Sequence, residues 1–383
     1  MITASDRRTH EKWLLEITGI PTAAGCEQRV IAWVERWLES RPHLQLRCDK
    51  AGNLLINVRR KGRGKPIFIT AHLDHPAFVV TGVRDAQSIE LEFRGGVHDP
   101  YFEKAAIEII DQHDRVHQAT IQKLDASAKP FKRVTAKLQR KTDSIRPGDI
   151  GRWSFGAKTK PRIVKGVLHA PACDDLAGVA AALAALDVLS KSPGAAHVGV
   201  LLTRCEEVGF IGAIAACKLR SVPISSRLIC LENSRSFPES PIGGGPIVRV
   251  GDRISVFGPS LTNRISAIMT EYARETAGGF KWQRKLMPGG ACEATTFSTY
   301  GYESTCLCLA LGNYHNMADI DGVQAGRAPA RVAPEFISIN DYHGLIDMLI
   351  VACTKLDSAT TADTRALMER LIKRNGRLIG MKS

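Results

Sequence analysis

The segment Thr203-Arg-Cys-Glu-Glu-Val-Gly-Phe-Ile-Gly-Ala213 places two adjacent carboxylates, Glu206 and Glu207, just past an apolar run, His197–Leu202. Adjacent carboxylates at the end of a buried strand repel each other and lose solvation, so they need a cation or a proton. A metal site supplies the first and a general base exploits the second. Alone, the pair would pass for acids at a helix N-terminus, where negative charge is favoured. Three further polar clusters also end apolar segments. Pro66-Ile-Phe-Ile-Thr-Ala-His-Leu-Asp74 runs out onto His72 and Asp74. Ala172-Cys-Asp-Asp-Leu-Ala-Gly178 opens an Ala-rich helix, and Cys306-Leu-Cys-Leu-Ala-Leu-Gly-Asn-Tyr-His-Asn316 is an apolar strand that ends on His315. Four clusters of His and carboxylate, all at element ends, point to a shared site rather than to packing. Imidazole and carboxylate ligands without thiolate suit Zn²⁺, Co²⁺ or Mn²⁺. Asp74 is placed to accept the second ring N–H of His72 and fix its tautomer.

The elements that must position these groups follow from periodicity. Residues 11–40 read as two helices split by Gly19–Gly25, and Val30, Trp33, Val34, Trp37 and Leu38 form a core-facing stripe in the second. Leu44–Val58 and Ile67–Ala71 read as strands, with Gly52-Asn53 as a turn. From about Phe78 to Val164 the texture changes to short alternating strands: Ser88–Phe93, Ala119–Leu124, Val134–Leu138 and Asp149–Trp153, with an ambiguous apolar segment at Ala105–Ile110. That is β-barrel texture. Helix–strand alternation then resumes: helix 176–190, strand 197–203, helix 210–219, strand 227–231, helix 262–277 and strand 305–311. Asp341–Leu356 and Asp363–Leu378 read as terminal amphipathic helices, the last as a solvated basic face. The expected organisation is an α/β domain, 1–77 with 165–383, interrupted by a small β domain, 78–164, whose two ends are flanked by the candidate ligands.

The order of these motifs, with Leu231-Glu-Asn233 and Gly244-Gly-Pro-Ile-Val-Arg-Val-Gly-Asp252, resembles the co-catalytic dizinc aminopeptidases. The likeness is to the glutamyl and deblocking family that includes the tetrahedral aminopeptidases, and it covers roughly residues 10–350. The resemblance implies a zinc-exopeptidase-like three-layer sandwich around a mixed sheet, with an inserted barrel that carries subunit contacts in a homo-oligomer. It also implies two divalent ions, expected to be Zn with Co or Mn as alternatives. Asp174 would bridge them; His72 and Glu232 would complete one site, and Glu207 and His315 the other. Glu206 would be the general base on a bridging water, Asp74 would orient His72, and the Asp174-Asp175 peptide would be cis. Two positions depart from the family's usual pattern. Glu232 stands where Asp is usual, and Ala291-Cys-Glu-Ala294 stands where Thr-Asp-Ala is usual, which makes Glu293 the candidate for substrate contact.

Composition sets the remaining bounds. With 383 residues, 44% hydrophobic and 24% charged, the chain has the make-up of a soluble two-domain protein. No apolar run is long enough to span a membrane, and the start lacks the apolar core of a signal peptide. The ten cysteines include no Cys-x-x-Cys pair, and Cys205, Cys230, Cys306 and Cys308 are expected within apolar strands, so a reduced, cytoplasmic protein is expected. The net charge of +13 raises nucleic acid as a partner. The densest basic run, Arg59–Lys65, reads instead as a hairpin loop with Gly62 and Gly64; it has no interleaved aromatics and no phosphate-loop spacing. Neither nucleic acid nor membrane is expected as a partner. The leading expectation is a dimetal aminopeptidase acting on peptide N-termini. Two alternatives stay open: an amidohydrolase, deacylase or carboxypeptidase on the same metals, and a non-catalytic assembly module.

Overall fold

Along the central strands, successive residues feed two different apolar layers. Ile67, Ile69 and Ala71 pack to one side and Phe68 to the other; Val200 and Leu202 oppose Leu201; Leu307 and Leu309 oppose Cys306 and Cys308. A strand buried on both faces needs helices on both faces. The computed structural model, which describes residues 2–60, 62–358 and 364–381, provides them. Helices Ala4–Ile17, Gln28–Glu39, Leu176–Leu189, Pro259–Glu275 and Ile339–Lys355 cover one face, and Ile211–Leu219 with Glu293–Thr299 cover the other. The Leu176–Leu189 helix is apolar except for Asp187 and almost wholly buried, because it sits between the sheet and the outer helices. Each fully buried Leu or Ile here contributes about 1.5–3 kcal/mol.

The sheet has eight strands in the order Leu44–Cys48, Leu54–Val58, Val198–Thr203, Ile67–His72, Arg227–Arg235, Glu303–Leu311, Ile247–Gly251 and Gln283–Leu286. Its four middle strands, Val198–Thr203 through Glu303–Leu311, are parallel. Parallel strands of an open α/β sheet gather their ligand sites at their C-terminal ends, and His72, Glu206-Glu207, Glu232 and His315 all lie at or near those ends. The Arg227–Arg235 strand runs four residues past its expected end, so Glu232 lies within it rather than in the turn beyond.

After His72 the chain enters a closed six-stranded barrel. Its order is Ala77–Val83, Ser88–Arg94, Lys132–Leu138, Val116–Asp125, Ala106–Ile110 and Ile150–Trp153. The segment whose type was ambiguous in the sequence, 105–110, is thus a barrel strand. Phe78, Phe93, Phe102 and Trp153 fill the interior, with ring centroids 4.8–6.0 Å apart in edge and tilted pairs. Gly151 admits this packing, since a Cβ there would stand 3.0 Å from that of Phe78. The barrel is tied to the α/β body near the site. Met317 and Ile320 complete its apolar cluster, and the Tyr101 hydroxyl donates to Ala318 O at 2.7 Å.

Two expectations are corrected. The basic 59–65 segment is not a simple hairpin loop, because the apolar Val198–Thr203 strand inserts between the two strands it joins; Lys61 lies outside the described residues. Cys205 is not within a strand but in a left-handed turn past one, at φ 55°. The last helix spans Thr364–Asn375, with the expected start at Asp363 outside the described residues. Its Leu367, Met368, Leu371 and Ile372 are exposed, as are its basic residues. Among the described residues no helix is long and apolar enough to cross a membrane.

Candidate metal centre

Each candidate side chain is aimed by a local device that the sequence encodes. Past Thr203 the strand breaks at Cys205, and Glu27 holds the turn: its Oε1 accepts from Cys205 N at 3.1 Å and its Oε2 from Arg204 Nε at 2.8 Å. Gly212 lets the following helix fold back here, since a Cβ would stand 2.3 Å from Arg204 O. Asp74 caps the turn from the other side, taking Glu206 N on Oδ1 at 2.9 Å and Glu207 N on Oδ2 at 3.1 Å. The Asp74 carboxylate therefore orients the glutamate pair. It is the Asp74 main-chain oxygen that accepts from His72 Nδ1, at 3.1 Å, while Asp74 Oδ1 stands 3.6 Å from that nitrogen.

Asp174 precedes the Leu176–Leu189 helix, and the Asp174-Asp175 peptide is cis, as the resemblance implies. Asp175 folds back over the helix start; a Cβ on Gly178 would stand 2.2 Å from its Oδ1. Asn233 Nδ2 donates to Asp175 Oδ1 at 2.7 Å and to Cys173 O at 2.9 Å, pinning this loop to the Glu232 strand. His315 sits at φ 55° in a run of left-handed residues with Asn313 and Asn316. Its Nδ1 meets Gly96 O at 2.6 Å, so a carbonyl beside the barrel leaves Nε2 as the free nitrogen.

Two groups result, each of one imidazole and two carboxylates, and Asp174 belongs to both: His72, Asp174 and Glu232; and Asp174, Glu207 and His315. His72 Nε2 lies 3.5 Å from Asp174 Oδ1 and 3.9 Å from Glu232 Oε1. His315 Nε2 lies 3.5 Å from Asp174 Oδ2 and 3.4 Å from Glu207 Oε1. Glu206 Oε2 is 4.0 Å from His72 Nε2, and His72, Glu206 and Glu207 form a third group. Ligands about 2.0–2.2 Å from a tetrahedral ion stand roughly 3.3–3.6 Å from one another, so most of these separations suit a shared ion. His72 Nε2, Asp174 Oδ1 and Glu207 Oε1 are buried without a hydrogen-bond partner, which is costly for a polar atom unless something else ligates it.

Charge gives the same answer. Burial, reinforced by neighbouring carboxylates, pushes Glu206, Glu207 and Glu232 well above the usual carboxylate range. Asp174 is also penalised by burial, yet the His315 and His72 imidazoles beside it hold it below that range. Buried acids this crowded are relieved by a divalent cation. The residues present fit such an ion.

A cleft of about 550 Å³ opens onto the centre, with Glu206, Glu207 and His315 in its wall and Arg235, Arg253 and His98 among its other lining residues. His72, Asp174 and Glu232 lie behind them. Glu293 is not in the wall. It is 3% exposed, its Oε2 accepts from Thr70 Oγ1 at 3.5 Å, and burial pushes its carboxyl up to about 7. It lies beside Thr70, two residues before His72 on the same strand. Sequence reasoning missed several supports. Asn233 and Asn316 sat beside recognised residues, and Asn316 Oδ1 meets His75 Nε2 at 3.1 Å, with His75 Nδ1 on Asp174 O. Glu335 carried no motif at all.

The arrangement has relatives. Residues 52–327 match the family model of the M42 glutamyl aminopeptidases. An aminopeptidase from Desulfurococcus kamchatkensis superposes with a TM-score of 0.70 at 18% identity, over 93% of this chain and 99% of that one. The TET1 peptidase of Pyrococcus horikoshii gives 0.69 at 18%, over 90% and 99%. A TET aminopeptidase from a marine-sediment thaumarchaeote gives 0.71 at 15%, over 92% and 100%. At such identities the likeness establishes a common fold, a sandwich of helices around a mixed sheet with an added barrel. The family match spans most of the chain and takes in His72, Asp174, Glu206, Glu207, Glu232 and His315, so the protein belongs to the M42 glutamyl aminopeptidase family and is an aminopeptidase.

Proposed function

We propose that this chain removes single residues from peptide N-termini with two divalent ions, one held by His72, Asp174 and Glu232 and the other by Asp174, Glu207 and His315. The observation that carries this reading is that one carboxylate, Asp174, completes both groups. The imidazole and carboxylate donors suit Zn²⁺ first, with Co²⁺ or Mn²⁺ as substitutes. Such ions polarise a scissile carbonyl and acidify water at the site. The chain's own residues do the rest. Glu206 faces the cleft and belongs to neither group, so its carboxylate is free to take a proton. It accepts one from the water as the water oxygen attacks the carbonyl carbon. It returns that proton to the amide nitrogen as the C–N bond breaks. Burial raises this carboxyl above the usual range, which makes its carboxylate a stronger proton acceptor. Asp74 keeps Glu206 and Glu207 aimed through their backbone N–H groups. Glu206 and Glu207 supply the carboxylates of a cleft wall that also carries Arg235 and Arg253, and a free α-ammonium can pair with those carboxylates where an acylated terminus cannot.

The test is release of free amino acid from an unblocked peptide and from its N-acetylated copy by metal-loaded protein. Cleavage of the first only is expected. Preference for the acetylated peptide would transfer the chain to the amidohydrolase reading.

The proposal extends to organisation. Residues 1–77 with 165–383 form the catalytic body, and 78–164 form an inserted barrel domain that carries subunit contacts. The Pyrococcus horikoshii peptidase assembles into a tetrahedron or a large octahedral shell, which supports self-association here. Light scattering at micromolar protein is expected to report an oligomer; a monomer removes this part of the reading. The ten cysteines are all unpaired, seven of them buried, which supports a reducing, cytoplasmic setting.

A further inference from the structure

The short strand Glu335–Ser338 lies beyond the residues that the family model matches, 52–327. It pairs with Val167–Ala170, which sets Glu335 opposite Ala170, close to the loop that carries Asp174. Glu335 is 0% exposed. Its Oε2 accepts from the backbone N–H of Cys173 at 2.7 Å and of Asp174 at 3.0 Å, and its Oε1 accepts from the backbone N–H of His315 at 2.8 Å. Cys173 and Asp174 precede their helix, and His315 follows its strand in a left-handed conformation, so all three N–H groups lie outside regular helix or sheet bonding. A buried carboxylate is costly unless hydrogen bonds hold it, and three backbone donors converge on this one.

We propose that Glu335 is a positioning residue for the metal centre: a single carboxylate ties the backbone of the shared ligand Asp174 to that of His315 and so sets the separation of their ligand atoms. That separation is 3.5 Å between Asp174 Oδ2 and His315 Nε2. Those two ligands come from loops far apart in sequence, which His75 also links, from Asp174 O to Asn316 Oδ1, but Glu335 differs in bonding the backbone N–H of both ligand residues. Glu335 bridges them directly. The inference rests on the two-ion reading and adds a residue that touches neither substrate nor ion.

The test uses the full-length protein and Co²⁺, whose visible spectrum reports ligand geometry. In Glu335→Gln, an amide N–H replaces one acceptor and faces a backbone N–H, donor against donor. Supports of metal ligands typically change affinity or activity by about 10–100-fold. Co²⁺ affinity and kcat at saturating Co²⁺ are both expected to fall in that range, with an altered Co²⁺ spectrum and little change in KM. Phe336→Leu, next along the same strand, is the control for strand damage: it is expected to lower thermal stability and leave Co²⁺ affinity and spectrum at wild type. Wild-type affinity, spectrum and kcat in Glu335→Gln would overturn the inference. If that variant does not fold, Glu335→Asp retains the charge but is one methylene short of its donors; weakened Co²⁺ binding supports the inference, and wild-type binding overturns it. A wild-type protein that binds no Co²⁺ sinks the two-ion reading itself and takes this inference with it.

Discussion

Glu206→Gln is expected to reduce kcat by about 10²–10⁴-fold, the range for loss of a positioned general base, while the bound metal stays at the wild-type level. The two halves of this expectation come from different observations. Glu206 lines the cleft but is absent from both groups that share Asp174. Its backbone N–H, not its side chain, is what Asp74 holds, so the amide variant keeps the turn. Gln preserves size and can still accept a hydrogen bond, but it cannot take the proton. Turnover of an unblocked peptide together with elemental analysis of dialysed protein measures both quantities. Lost metal would make Glu206 a ligand, in keeping with its place in the third group beside His72 and Glu207. Unimpaired turnover would remove it from the chemistry.

The second large effect belongs to Asp174. Because both groups depend on it, Asp174→Asn is expected to weaken both ions together, by more than the roughly 100-fold seen when a supporting residue is lost. Glu232 and Glu207 each serve one group, so losing either should spare the other ion. Isothermal titration of metal-free protein with Zn²⁺ distinguishes the cases: two weakened sites for Asp174→Asn, one for Glu232→Gln. If Asp174→Asn keeps one site at full affinity, the carboxylate is not shared.

Much of this centre was legible because a charged group at the end of an apolar strand has few reasons to be there. His72, Glu206, Glu207 and His315 each carry that mark, and Asp174 marks the start of an apolar helix. Glu232 is different. It lies inside a strand, and only its place in the order of motifs singled it out. Glu293 was found by counting along a loop, but its burial beside Thr70 is set by how the Glu293–Thr299 helix packs on the sheet, and no local spacing records that. Glu335 left no trace because its partners are backbone N–H groups, which every sequence contains. The fold shows the same division. Strand positions followed from periodicity, whereas the insertion of Val198–Thr203 between the strands flanking the basic loop did not, since that neighbour is supplied much later in the chain.

The sharing of Asp174 by residues that run from His72 to His315 also fixes an order of events. A stretch such as Glu206-Glu207 brings at most one ligand to each group, and the barrel separates the first ligand from the second. No single short stretch of the chain therefore holds a complete group. The sheet must close before either group is complete, so on the two-ion reading an ion would meet a folded pocket rather than seed it. Once bound, it would hold the closed state in place by mass action, more firmly as its free concentration rises. On that reading the metal is a latch and not a mould.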